Sequence, residues 1–326
     1  MLHLPTPAGA ASALGGHKVY HYCVFNLRIS SEVELPALPH SPNGGDVIVH
    51  LTASAPHVGP PPGMASSYHV TPRLATLDFA ELGTLVVREG HDIGITLLPG
   101  ADLAPLQHYL VGLALAVLLY QRGLVVLEAS ALQAGPGAIM LVGDPASARA
   151  SLSTALLARG YTLIGDEITA ISMSGPYAQI IPAFPAPRAP AAATAESTTP
   201  ALRPVEEVDQ PVPVPLHAIY QLKSGAKQYV SRLPPQAALT EIVRYSYPIR
   251  LLQPGGIDHL RQCSQLVGAV AVYQLTQADD PLALPELAQL IDTRAALVRP
   301  RGDHARFAPP IVRTRRRSPK PSPESH

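Results

Sequence analysis

The chain has 326 residues, with 24 Lys and Arg set against 24 Asp and Glu, 47 % hydrophobic residues and 36 prolines. That length holds a sizeable core, in two modest domains or in one domain with a large appendage. Balanced charge supplies no global field to attract nucleic acid or an anionic membrane, so neither is expected as a partner.

Residues 1–16 are small and are expected to be flexible. "HKVYHYCVFNLRISSEVEL" (17–35) is rich in β-branched and aromatic residues and predicts strands, as do "DVIVHL" (46–51), "SSYHV" (66–70), "LATLDFA" (74–80), "GTLVVREG" (83–90) and "DIGITLLP" (92–99). Residues 17–100 therefore form a small β-rich N-terminal region. The pattern then changes. Asp102 is placed to cap a helix running to about Arg122, with Gly123 as its stop. Its most apolar run, "YLVGLALAVLLY", falls well short of the ~20 residues of a membrane span. Two buried-strand runs follow, "LVVLEASAL" (124–132) and "AIMLVG" (138–143). Next come a loop, a helix from about Ala150 to Arg159 and a strand, "YTLIGDEITAIS" (161–172). Strand, loop, helix and strand make a βαβ pattern of α/β type. A Pro-, Ala- and Thr-rich insertion spans 182–215. Beyond it the sequence predicts strands at 216–222 and 228–233, helices at 235–244 and 256–269, a strand at 270–275 and a helix at 284–297. The Arg- and Pro-rich tail, 299–326, has the composition of a disordered segment.

The stretch "LVGDPASARASLSTALLARGY", Leu141 to Tyr161, has the outline of a phosphate-binding loop opening a helix. In G-x-x-x-x-G-K-[ST] the glycines let backbone amides turn toward phosphate, the Lys bridges the β and γ phosphates, and the hydroxyl ligates Mg²⁺. Here Gly143 is the first glycine. Ala148 stands at the second, Arg149 in the Lys slot and Ala150 in the Mg²⁺-ligand slot, with Ser151 one position further along. Ala at a positive-φ position is expected to be strained by ~1–2 kcal/mol. Arg keeps the charge but is longer and planar. Read alone, these residues fit an ordinary strand-to-helix turn as well as a phosphate site.

The order of several motifs resembles the HPr kinase/phosphorylase-like P-loop family, in particular the HPr-kinase-related serine kinases of bacterial peptide-modification clusters. Those have a strand ending in "HASAV", a loop "G-x-S-G-A-G-K-S-T-L", a helix ending in "ARGY", and "LLSDDV". This chain has "VLEASAL", the Leu141–Tyr161 stretch, "TLIGDEITAI", and later "PVPLHAIYQL" and "VAVYQL". The similarity covers roughly 17–297. It implies an α/β P-loop HPr-kinase-like core over 101–298, and ATP with Mg²⁺ as cofactors. By position it also implies catalytic roles for Asp166 and Glu167, one as base toward an acceptor hydroxyl and one near the metal. The family's His before "ASA" is Glu128 here, an acid that repels triphosphate unless it pairs with Arg149.

The departures fall at Glu128, Ala148, Arg149 and Ala150, all of which face the phosphates in the family. ATP·Mg²⁺ binding is therefore expected to be weak or absent. The expected function is a degraded kinase-like protein, a pseudokinase that binds a protein or peptide partner. The alternative is an active ATP-dependent serine kinase using Arg149, Ser151, Asp166 and Glu167. No cluster has zinc-ligand spacing, and no metal site is expected among the protein's own side chains. Cys23 and Cys263 sit among apolar neighbours and are expected to be buried free thiols of a reducing, cytoplasmic compartment. The N-terminus lacks the pattern of a signal peptide.

Overall fold

A computed structural model describes residues 18–52, 59–61, 63–183, 212–225, 228–247, 256–277 and 284–298. The expectations for 1–16, for most of the 182–215 insertion and for the 299–326 tail lie outside the described residues. Within them the chain is a mixed α/β structure with two mixed sheets.

The first sheet holds β1 (Tyr20–Val24), β2 (Leu27–Ser31), β3 (Val47–Leu51), β4 (Ser66–Val70), β5 (Leu74–Phe79), β6 (Gly83–Arg88) and β7 (Asp92–Leu97), in the order β1-β2-β3-β7-β6-β5-β4. The expected strand region 17–35 is a hairpin. Phe25 and Asn26 turn it with φ of 53° and 59°, matching the twist of paired strands. Sequence signals for such a turn rest on Asn-Gly or Asp-Gly. A Phe with positive φ is rare, and here the ring is buried in the core, 6 % exposed, so packing holds the turn.

Helix α1 (Leu103–Gln121) lies against this sheet. The Asp102 carboxylate accepts the Ala104 amide at 3.1 Å, and Gly123 follows the helix at φ 82°, both as the sequence predicts. The helix is longer than its central apolar run suggests. By length and composition it is apolar enough to cross a membrane. Its apolar residues are used in packing: Leu106, Leu110, Leu115 and Leu118 are fully buried in one cluster with Ile29, Leu77, Leu85 and Ile93.

The second sheet holds β8 (Val125–Glu128), β9 (Ser130–Ala134), β10 (Gly137–Val142), β11 (Thr162–Gly165), β12 (Ile168–Ser172), β13 (Gln179–Ile181), β14 (Val214–Ser224), β15 (Tyr229–Arg232) and β16 (Ala271–Gln277). Its main path runs β11-β9-β10-β14-β13-β12-β8, with β16 beside β14 and β15 beside β16. Strands β10, β14 and β16 are mutually parallel, and β10 is buried on both faces, which explains its near-continuous apolar run. One face packs on α2 (Ala146–Leu157) and α5 (Leu284–Val298), through Leu152, Leu156, Leu287 and Ile291 against Leu141, Tyr220 and Leu275. The other packs on α3 (Pro235–Arg244) and α4 (Ile257–Ala269), through Ile242, Cys263 and Leu266 against Met140, Val142 and Ile219.

Three expectations are corrected. The run 124–132 breaks at Ala129, and 161–172 breaks at Asp166–Glu167. The two bent segments pair with each other on both sides of their corners. The strand after α2 is not a neighbour of β10, because antiparallel β9 lies between them. The βαβ unit is thus split.

Under α4, burial pushes the Cys263 thiol up to about 12, and desolvation holds the His259 imidazole below its ordinary value of 6.5. The Ser246 hydroxyl donates to the Val243 carbonyl at 2.7 Å. Its oxygen lies 2.8 Å from His259 Nε2, which also meets the Cys263 sulfur at 3.5 Å. Nδ1 is buried with no partner among the described residues. A depressed folded-state value means that the unfolded chain takes up the proton first. Stability is therefore complete above the unfolded value and falls as pH drops below it. Urea unfolding should show a midpoint that declines from pH 7.5 to pH 5, with a shallower decline in His259→Gln. Equal pH slopes for the two proteins would refute this role for the ring.

Candidate functional site

Strand β10 ends at Val142, and Gly143 follows with φ 137°. A Cβ there would come within 2.9 Å of the Leu222 carbonyl oxygen. Glycine is therefore required by the close approach of β14 as well as by the backbone angle. Helix α2 begins at Ala146, earlier than the sequence predicts, with extended Pro145 as its N-cap and no side-chain cap. Pro145 pre-sets the turn, and the Ala/Ser run after it extends the helix toward the strand.

The early start changes every position that follows. Ala148 lies in the first turn of α2, and its amide donates to the Pro145 carbonyl at 3.0 Å. Among the described residues the non-glycine positions with positive φ are Phe25, Asn26, Glu89 and Glu167. The strain expected at Ala148 is absent, because that residue is helical. Ala150 and Ser151 are exposed on α2, whereas Arg149 is 3 % exposed. The Ser151 hydroxyl thus lies on the solvent side of the helix and Arg149 on the protein side.

The Arg149 guanidinium donates from Nη1 to the Gly143 carbonyl at 2.6 Å and from Nη2 to Glu128 Oε1 at 3.3 Å. Glu128 closes β8, its side chain 20 % exposed, and its amide donates to the Tyr245 carbonyl at 2.8 Å. The pairing of Glu128 with Arg149, one of two outcomes open from the sequence, is the one observed. Arg149 Nε and Ser153 Oγ, one helical turn apart, are buried without partners among the described residues.

Asp166 and Glu167 occupy the exposed corner between β11 and β12. Asp166 Oδ1 accepts the Ser130 hydroxyl at 2.7 Å and the Glu167 amide at 3.1 Å. Glu167 has φ 61°, a left-handed conformation that costs a non-glycine residue roughly 1–2 kcal/mol. Its carbonyl accepts the Ala129 amide at 3.2 Å, and Thr169 Oγ1 donates to the Ala129 carbonyl at 2.8 Å, so both corners are tied together. Ile168 pairs in register with Glu128, which brings this corner beside the Arg149 pair. Sequence reasoning sets Ser130 aside because it lies in no G-x-S-x-G elbow, whereas here its hydroxyl orients Asp166. The only sequence signal of Ser130 is its place two positions after Glu128 in "EASA". Exposed Asp144 adds a further carboxylate, whose charge, after the larger effect of burial, helps raise the Tyr245 phenol above its usual range. Beside the one buried guanidinium, Glu128, Asp144, Asp166 and Glu167 make the surroundings of the loop acidic.

No family model matches the chain, and no curated protein matches it. Among solved structures it is similar to the HPr(Ser) kinase/phosphatase from Coxiella burnetii, at 10 % identity and a TM-score of 0.27, over 53 % of this chain and 97 % of that one. At that score the likeness assigns no role to any residue.

A buried ion pair that loses one partner leaves the other charge uncompensated. Glu128→Ala should destabilise the fold by about 3 kcal/mol or more. In a cycle with Arg149→Met, the double variant should be more stable than the sum of the single effects predicts, by about 1 kcal/mol or more. Chemical denaturation of the four proteins measures this, and additive effects would show that the pair is uncoupled.

Proposed function

We propose that the chain is an HPr-serine-kinase-like protein with a degraded phosphate loop, a pseudokinase that binds a protein or peptide partner without efficient phosphoryl transfer. The observation that carries this reading is the burial of the Arg149 guanidinium against the Gly143 carbonyl and Glu128. A triphosphate needs inward amides, a cation free to bridge phosphates, and a hydroxyl for Mg²⁺. This loop has Pro145, which carries no N–H. Its cation is already paired, and Ala150 has no hydroxyl. The residues present do not fit ATP·Mg²⁺, and the carboxylates around them oppose an anion further. Support for the kinase-like frame comes from the sequence, where the ordered motifs outside the loop are kept.

One observation favours the alternative, an active ATP-dependent serine kinase. Asp166 is exposed and oriented by Ser130, an arrangement suited to a base that takes a proton from an acceptor hydroxyl. Affinity for nucleotide separates the two readings. Calorimetry at 25 °C should give a dissociation constant for ATP·Mg²⁺ on the order of 1 mM or weaker, about −4 kcal/mol. ATP·Mg²⁺ should also leave the melting temperature unmoved. Micromolar binding would overturn the pseudokinase reading and support the active kinase.

A further inference from the structure

On the face of the second sheet covered by α3 and α4, a cavity of about 360 Å³ opens to solvent between the end of β15, the first turn of α3, the end of α4 and the start of β16. Leu233, Pro235, Ala238, Val267 and Val272 are among its apolar lining residues, and Arg232 is its one charged residue. Arg232 is exposed, and its side chain makes no hydrogen bond or ion pair among the described residues. The same rim carries the N-terminus of α3. Pro234 caps it without a side-chain bond, and no acid lies in the first turn, so the positive end of that helix is uncompensated.

An apolar cleft with a cation and a helix N-terminus at one edge matches an apolar group that carries a carboxylate. We infer that this cleft binds the C-terminal end of an extended peptide whose last residues are aliphatic. The final side chains enter between α3 and α4, and the terminal carboxylate meets Arg232 and the amides of Gln236 and Ala237, the first-turn amides that remain because Pro234 and Pro235 carry no N–H. The volume suits one or two aliphatic side chains. It is near the lower end of the range for small-molecule pockets, too small for a docked helix. The inference supplies a site for the partner in the reading above and rests on it only for there being a partner. The peptide titration and the ATP titration are separate measurements, so either can fail without the other.

The probe is an N-terminally fluorescein-labelled hexapeptide, Ser-Gly-Ser-Gly-Val-Leu, titrated with the full chain and followed by fluorescence anisotropy. Saturable binding is expected for the free C-terminus. It should weaken about fivefold or more when the C-terminus is amidated, because a charge-assisted contact is lost. Arg232→Gln, at an exposed position, should weaken the free peptide to a similar degree and leave the amidated peptide unchanged. Val267→Phe, which fills the cleft, should weaken both peptides, with circular dichroism confirming that the variant is folded. No saturation up to about 1 mM would overturn the inference, as would equal binding of the two peptides or parent-like binding by Arg232→Gln. Displacement of a fluorescent fatty acid by decanoate, without any peptide binding, would also overturn it and assign the cleft to a free amphiphile.

Discussion

A buried guanidinium must be satisfied where it lies, and that of Arg149 fixes how the ends of two strands and one helix meet. It holds the Gly143 carbonyl at the end of β10 and the Glu128 carboxylate at the end of β8, while its own backbone belongs to α2. None of these contacts survives a shift of α2 along its axis. Gly143 adds a second constraint, because the backbone of β14 lies too close for any side chain there. At the turn between β10 and α2 the Arg149 guanidinium is thereby held by the protein's own groups.

The acidic corner beside it is built differently. Two long strands bend together at Ala129 and at Asp166–Glu167, and the bend is held by the Ser130 and Thr169 hydroxyls and by the Ala129 amide. Backbone strain at Glu167 persists because the paired strands on either side over-determine it. The corner therefore keeps a defined shape with both carboxylates in solvent. In the active reading that shape orients a base. In the pseudokinase reading it is a rigid acidic surface beside a closed loop. Affinity for nucleotide, rather than the shape of the corner, separates the two.

The layers around the second sheet do not depend on the residues of the loop. The parallel strands β10, β14 and β16 are sealed by α2 and α5 on one face and by α3 and α4 on the other. That packing depends on aliphatic residues such as Leu152, Leu156 and Ile242, none of which is a loop residue. The sandwich requires only that the buried charge at position 149 find a partner, and Glu128 is that partner.

Periodicity and capping made much of the framework legible in the sequence. The strands of the first sheet, the start and stop of α1 at Asp102 and Gly123, and the spans of α3, α4 and β10 all follow from local rules, because local sterics and the burial of one face act within a few residues. What the sequence left open turned on contacts between distant residues. The Phe25–Asn26 turn depends on a buried ring. The corners at Ala129 and Asp166–Glu167 depend on hydrogen bonds across two strands. The need for glycine at 143 depends on the close approach of β14. The sequence named Glu128 and Arg149 as residues of interest, but it left open whether Arg149 faced a ligand or a carboxylate. Only the tertiary structure decided that, because the partner of a buried charge is set by which chain segments surround it.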